Sequence, residues 1–286
     1  MMKLLKSRQA WLIVGLIVIL GFVIGLSELQ GNNKNETTPA AQAATNTGSP
    51  ARQKPLTPDP NSPLGDEYLA LGDSVAYGVG ASPPEEAGYA GVFYNQYLKK
   101  IKPQGFTYKN LGIPGETTTS FLSRGKSRSQ LDNALTEIDS AQKAGRRVSP
   151  ITLTIGANDV IGARGLSDDG KAAALEQFQS NLKQILEQLT EHTGGKSDII
   201  VTTYYNPFAG NSSLADEATW MQRFNDTIRQ TASDFKMKVA DFYTPVAGKE
   251  QSLTWIGNGD IHPNKAGHAL LAQAIWQASG YANLKQ

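Results

Sequence analysis

The chain has 286 residues, 40% of them hydrophobic, with 27 basic against 26 acidic side chains, three histidines and no cysteine. This charge balance argues against a nucleic-acid surface. Without cysteine there is no disulfide framework, no thiol nucleophile and no thiol to carry a lipid anchor, so stability must come from an ordinary packed core in one medium domain.

Residues 1–30 read as an N-terminal signal-anchor or signal peptide. Lys3, Lys6 and Arg8 precede sixteen uncharged, mostly apolar residues from Trp11 to Leu26, the pattern of a targeting segment whose positive flank stays inside. In a helix these residues reach about 24 Å, longer than most signal-peptide cores and slightly short of the bilayer hydrocarbon. Gly25-Leu26-Ser27 offers a small-residue cleavage site, yet the polar spacer that usually precedes one is missing. An uncleaved membrane anchor is therefore preferred, with cleavage and secretion as the alternative. Residues 31–64, rich in Asn, Thr, Ala, Pro and Ser, cannot offset chain entropy and read as a disordered tether. Its r.m.s. span would be roughly 30–35 Å.

From residue 65 to 286, strands are predicted to alternate with helices. The strands are expected at 67–71, 106–111, 150–155, 198–204 and 238–242, and the helices at 88–101, 128–144, 170–191, 215–235 and 264–279. Ile151-Thr152-Leu153-Thr154-Ile155 and Asp198-Ile199-Ile200-Val201-Thr202 are near-continuous apolar runs, as strands buried on both faces require. Leu175, Phe178, Leu182, Ile185, Leu186 and Leu189 fall on one face of the third helix. The expected architecture is a three-layer α/β/α sandwich around a five-stranded parallel sheet.

Chemistry concentrates where these strands end. Ser74, in Leu71-Gly72-Asp73-Ser74, directly follows the apolar run Tyr68-Leu69-Ala70-Leu71, and in open α/β sheets ligands bind outside the carboxyl ends of the strands. Such a serine needs a base. His192 lies in a polar helix end and reads as solvated, and His268 falls inside the last helix. His262, in the loop Gly259-Asp260-Ile261-His262-Pro263-Asn264, is the best candidate. Glycine and asparagine recur after the second strand, in Asn110-Leu111-Gly112-Ile113-Pro114-Gly115-Glu116-Thr117, and after the third, in Gly156-Ala157-Asn158-Asp159. A glycine N–H or an asparagine amide can donate to the oxyanion formed by attack on a carbonyl.

Other polar residues read as support. Asp73 and Asp159 are expected to brace loops, Asn110 to hold a turn and Asp241 to cap a helix. Gly78-Val79-Gly80 has Pro83 where a dinucleotide loop needs its third glycine, and no His or carboxylate cluster has metal spacing. Tyr77, Tyr204, Tyr205, Phe208 and Trp255 sit at the same sheet edge, as pocket wall or as packing.

These four blocks, in this order, resemble the SGNH, or GDSL, hydrolase family over residues 66–280. The resemblance implies a flavodoxin-like SGNH hydrolase fold and lipase- or esterase-like ester hydrolysis without metal or organic cofactor. By it, Ser74 is the nucleophile and His262 its base, and the Ser74 N–H, the Gly115 N–H and the Asn158 side chain form an oxyanion hole. The family usually places its orienting aspartate three residues before the histidine, where this chain has Gly259; the carboxylate, Asp260, stands two before. Either Asp260 reaches the imidazole or a backbone carbonyl holds the ring. Asp260 is preferred, because a carboxylate also stabilises the imidazolium. Tyr205-Asn206-Pro207-Phe208 resembles a segment of lipase-like members, which favours esters of lipids or similar amphiphiles. The expectation is an extracytoplasmic serine carboxylester hydrolase acting through an acyl-enzyme on a small-molecule or lipid ester. Its partners would be the membrane, through residues 11–26, and no obligate protein. The alternatives are a carbohydrate or cell-wall O-acetylesterase and a non-catalytic surface-binding module.

Overall fold

The computed structural model describes residues 63–102 and 104–284, all within the second of two units, Thr57–Gln286. The expected anchor and nearly all of the expected tether lie outside the described residues. Among the described residues, no helix is long and apolar enough to cross a membrane.

Five parallel strands form one sheet in the order β2-β1-β3-β4-β5: β1 (Glu67–Gly72), β2 (Thr107–Asn110), β3 (Val148–Thr154), β4 (Ile199–Thr202) and β5 (Lys238–Ala240). Every residue of β1, β3 and β4 is buried, whereas the edge strand β2 alternates exposed and half-buried positions. This is the burial expected of central strands covered on both faces. β4 stops short of the expected residue 204 because the backbone of Tyr204 leaves the ladder for a side chain. Its N–H donates to Asn225 Oδ1 at 2.8 Å and its C=O accepts from Asn225 Nδ2 at 2.9 Å.

Two short helices, α1 (Ser74–Tyr77) and α2 (Pro84–Ala87), follow β1, and a continuous helical stretch over residues 89–101 (α3) leads to β2. Helices of five or more residues then follow, α4 (Thr118–Leu122), α5 (Gln130–Lys143), α6 (Ala157–Gly162), α7 (Asp168–His192), α8 (Ala215–Asp234) and α9 (Lys265–Ser279), with single helical turns at Tyr243–Val246 and Glu250–Leu253 between the last two. α3 and α9 pack together on one side of the sheet, and α5, α7 and α8 pack on the other. On α7 the buried stripe is Phe178, Leu182, Ile185, Leu186 and Leu189, with Leu175 half-buried at its margin. Burying each such side chain contributes roughly 1.5–3 kcal/mol, and Leu182→Ala would cost about 2–5 kcal/mol through lost burial and the cavity left behind.

β1 bonds to β2 on one side and β3 on the other, so the chain order reverses there and the loops diverge to open a crevice. Gly72 pairs with Thr154, which brings β1 and β3 to their carboxyl ends at the same level. With φ +131°, Gly72 lies so close to β3 that a Cβ would sit 1.8 Å from the Thr154 carbonyl oxygen. Ser74 therefore emerges beside the loop carrying Asn158.

Candidate active site

Ser74 opens α1, and Asp73 caps that helix. One carboxylate oxygen of Asp73 accepts from Val75 N at 2.9 Å and the other from the Tyr204 hydroxyl at 2.6 Å. Burial pushes the Asp73 carboxyl up to about 6 against these bonds. Burial, with Asp73 alongside, also raises Tyr204 far above the ordinary phenol value. Asp73 and Tyr204 thus brace the turn from below.

His262 Nε2 lies 2.9 Å from Ser74 Oγ, and His262 Nδ1 lies 2.5 Å from Asp260 Oδ1. The same Asp260 oxygen accepts from the His262 backbone N–H at 2.9 Å. An aspartate side chain bonding the backbone two residues ahead makes an Asx turn, which explains how a carboxylate two positions before the histidine reaches its ring. It is Asp260 rather than the Gly259 carbonyl that meets Nδ1. The bond to the His262 ring, helped by the His262 N–H, holds the Asp260 carboxyl below the ordinary aspartate value despite partial burial. With the carboxylate at Nδ1, the proton sits on Nδ1 and Nε2 is free to accept from Ser74.

Backbone contacts fix this loop. Trp255 N donates to His262 O at 2.9 Å, Asn264 N to Leu253 O at 3.0 Å, and the Tyr205 hydroxyl to Ile261 O at 2.5 Å. Asn264 then caps α9. Gly78-Val79-Gly80 underlies the loop: a Cβ on Gly80 would come within 2.2 Å of Pro263 O and 3.1 Å of His262 Cβ. Trp255 Nε1 donates to Gly80 O at 2.8 Å.

The other histidines stand apart. His268 is buried, accepts from Tyr89 N at Nδ1 (3.1 Å) and donates from Nε2 to Val79 O (2.8 Å); burial pulls its pKa down to about 4. His192 closes α7 with Nδ1 3.2 Å from Gln188 O.

Opposite His262, Asn110 holds the turn after β2, accepting from Gly112 N at 2.9 Å and donating to Ala76 O at 2.7 Å. Asn158, in the first turn of α6, donates from Nδ2 to Glu116 O at 2.8 Å. Its amide is thereby tied to the residue following Gly115. Among the described residues, neither the Ser74 nor the Gly115 N–H has a protein acceptor. Asp159 accepts from Thr118 N at 3.0 Å and from Thr118 Oγ1 at 2.5 Å, joining α6 to α4, and burial raises its pKa. Asp241 accepts from Tyr243 N at 3.1 Å and from Thr203 Oγ1 at 2.9 Å at the start of a helical turn. Of the five edge aromatics, Tyr204 and Tyr205 are buried, Phe208 is half-buried under Arg164, and Tyr77 and Trp255 are exposed. Among the described residues no three His, Asp or Glu side chains converge to hold a metal ion.

Two residues of this site carry no signature in the sequence. Glu116 and Gln130 have fully buried side chains, and Gln130 Nε2 donates to Glu116 Oε2 at 3.0 Å. Only the position of Glu116 beside Gly115 points to it, and nothing local points to Gln130.

The sequence profile of the GDSL-like lipase/acylhydrolase family matches residues 70–270. The spore germination lipase LipC of Bacillus licheniformis is 26% identical over 227 residues, covering 77% of this chain and 98% of its own. Among solved structures, the lipase Lip_vut3 from a goat rumen metagenome superposes with a TM-score of 0.60 at 24% identity, covering 77% of this chain and 99% of its own. Axe2, an acetylxylan esterase from Geobacillus stearothermophilus, gives 0.54 at 19% identity, covering 75% and 94%.

Proposed function

The chain belongs to the GDSL-like lipase/acylhydrolase family, and on that premise we propose that it is a serine carboxylester hydrolase working through an acyl-enzyme on Ser74. The observation that carries this reading is the line Ser74 Oγ, His262, Asp260, with contacts of 2.9 and 2.5 Å. His262 Nε2 takes the hydroxyl proton as Ser74 Oγ attacks the ester carbonyl, and the oxyanion meets the Ser74 N–H, the Gly115 N–H and the Asn158 amide. The imidazolium, stabilised by Asp260, returns the proton to the departing alkoxide. A water deprotonated by His262 then releases the acid and frees Ser74.

The substrates are proposed to be acyl esters of amphiphiles. The exposed large apolar residues Tyr77, Ile161, Leu166, Trp255 and Ile261 all lie between the carboxyl end of a strand and the next long helix. They rim the edge that holds Ser74, which supports docking of an apolar chain there. The basic flank and apolar run at residues 3–26 support placing the domain outside the cytoplasm, held by an anchor or, if cleaved, secreted.

p-Nitrophenyl esters of increasing chain length, assayed with the parent and with Ser74→Ala, test the reading. The expected result is a preference for medium over acetyl chains and loss of several powers of ten in the variant. A Ser74→Ala rate above about a tenth of the parent's would remove the acyl-enzyme, and a preference for acetyl groups on polysaccharide would favour the O-acetylesterase.

A further inference from the structure

The three groups proposed to face the oxyanion come from three separate loops, and a misplacement of about 1 Å in such an array can cost about 10² in rate. We infer that buried Glu116 and Gln130 form a positioning pair that holds these donors in mutual register. The inference rests on the reading of Ser74 as nucleophile.

Gln130 opens α5, and its amide pairs with both backbone groups of Gly72. Oε1 accepts from Gly72 N at 2.6 Å and Nε2 donates to Gly72 O at 2.9 Å, the two-point pairing that a neighbouring strand would make. Gly72 ends β1, two residues before Ser74. Its carbonyl also accepts from Ile113 N at 3.0 Å, at the start of the Gly115 loop. The remaining amide proton of Gln130 goes to Glu116 Oε2 at 3.0 Å. That carboxylate is held further by Arg124 Nη2 at 2.9 Å and by the Ser120 hydroxyl. Through its main chain, Glu116 follows Gly115 and accepts the Asn158 amide at 2.8 Å.

One buried pair thus touches the strand leading to Ser74, the peptide next to Gly115 and the side chain of Asn158. Apolar residues in this space would leave the buried Gly72 N–H without its acceptor, but that need is met by Gln130 alone. The bond from Gln130 to Glu116 and that from Asn158 to the Glu116 carbonyl go beyond it and join the three loops. Here every hydrogen bond of the Gln130 amide goes to Gly72 or Glu116.

The experiment compares full-length Gln130→Leu, Glu116→Ala and Glu116→Gln for kcat, KM and melting temperature on a soluble ester, with active sites counted by organophosphonate labelling. Gln130→Leu and Glu116→Ala are expected to lower kcat per active site by about 10 to 10² at nearly constant KM. Glu116→Gln keeps an oxygen facing Gln130 and should recover most of the rate. Adding Gln130→Leu to Asn158→Ala should cost much less than Gln130→Leu alone, because both act on one donor array. A lowered melting temperature with unchanged kcat per site would reduce the pair to a core brace and overturn the inference. Should Gln130→Leu fail to fold, equal kcat values for Glu116→Ala and Glu116→Gln would overturn it as well. Failure of the underlying reading looks different: Ser74→Ala would stay active and Ser74 would not be labelled.

Discussion

The two flanks of Ser74 are built from opposite materials. On one, the groups that would move a proton stand partly in water, with His262 at 19% and Asp260 at 47% side-chain exposure, on a loop held largely through its backbone. On the other, the groups supporting the proposed oxyanion donors, Glu116 and Gln130, are fully buried and held by side-chain bonds. The difference follows from the work asked of each. A group that gains and loses charge in each cycle is served by solvent and a nearby carboxylate. A donor array that must not reorganise as charge develops needs a rigid frame without water.

The sharpest way to break this comparison is Asp260→Asn. One atom, Asp260 Oδ1, meets both His262 N and Nδ1. The asparagine therefore either holds both with a neutral oxygen, which removes the charge that stabilises the imidazolium, or turns its amide to Nδ1, which gives up the Asx turn and stabilises the wrong tautomer. kcat should fall by up to about 10⁴ with the melting temperature unchanged. A loss below about tenfold would mean that the half-exposed carboxylate neither sets the tautomer nor stabilises the imidazolium, leaving a Ser74–His262 dyad.

On the buried flank Asn158→Ala should lower kcat by about 10² to 10³ with little change in KM, because its amide bonds the transition state more strongly than the ground state. Asp159→Ala, next to it, should mainly lower the melting temperature, since that carboxylate ties α6 to Thr118. A pure KM effect at Asn158 would assign it to substrate binding and separate it from the frame around Glu116.

The same contrast explains what the sequence reveals. The strands stand out as apolar runs, and Ser74, Asn158 and His262 stand out as polar residues punctuating their carboxyl ends. Gln130 does not, because its partner Gly72 is 58 positions away and only the packing of α5 against β1 joins them. The end of β4 is hidden for a like reason: the side chain that draws Tyr204 off the ladder belongs to Asn225, 21 positions on. The reach of Asp260 is local, yet it depends on a side-chain turn that residue types alone do not specify. Long-range polar contacts between buried side chains leave no periodicity to read, whereas burial of a strand or helix face does.

The smallest effects concern stability, and two buried titrating groups near the site oppose each other. His268, on α9, has its pKa drawn down to about 4 by burial. Burial bars the charged ring, so the neutral His268 carries no penalty above its unfolded value near 6.5, and as pH falls toward 4 the unfolded chain takes up the proton first and stability drops by up to about 3 kcal/mol. Asp73, under Ser74, has its pKa pushed up to about 6 by burial. Relative to the unfolded chain it is unpenalised below about 4, and it costs up to about 3 kcal/mol once ionised above 6. Between pH 4 and 6 the two slopes partly cancel in the parent. Asp73→Asn keeps the cap to Val75 and can donate to the Tyr204 oxygen, so it should melt higher than the parent at pH 7–8. That gain should vanish below about pH 4, as follows from the same linkage. With the Asp73 slope removed, the His268 slope should emerge as a steeper loss of stability on acidification. His268→Gln should show the reverse, a deficit at pH 7 that shrinks toward pH 4. Melting curves of both variants from pH 4 to 8 decide it: a difference from the parent that does not change with pH would mean that neither group titrates differently in the folded chain.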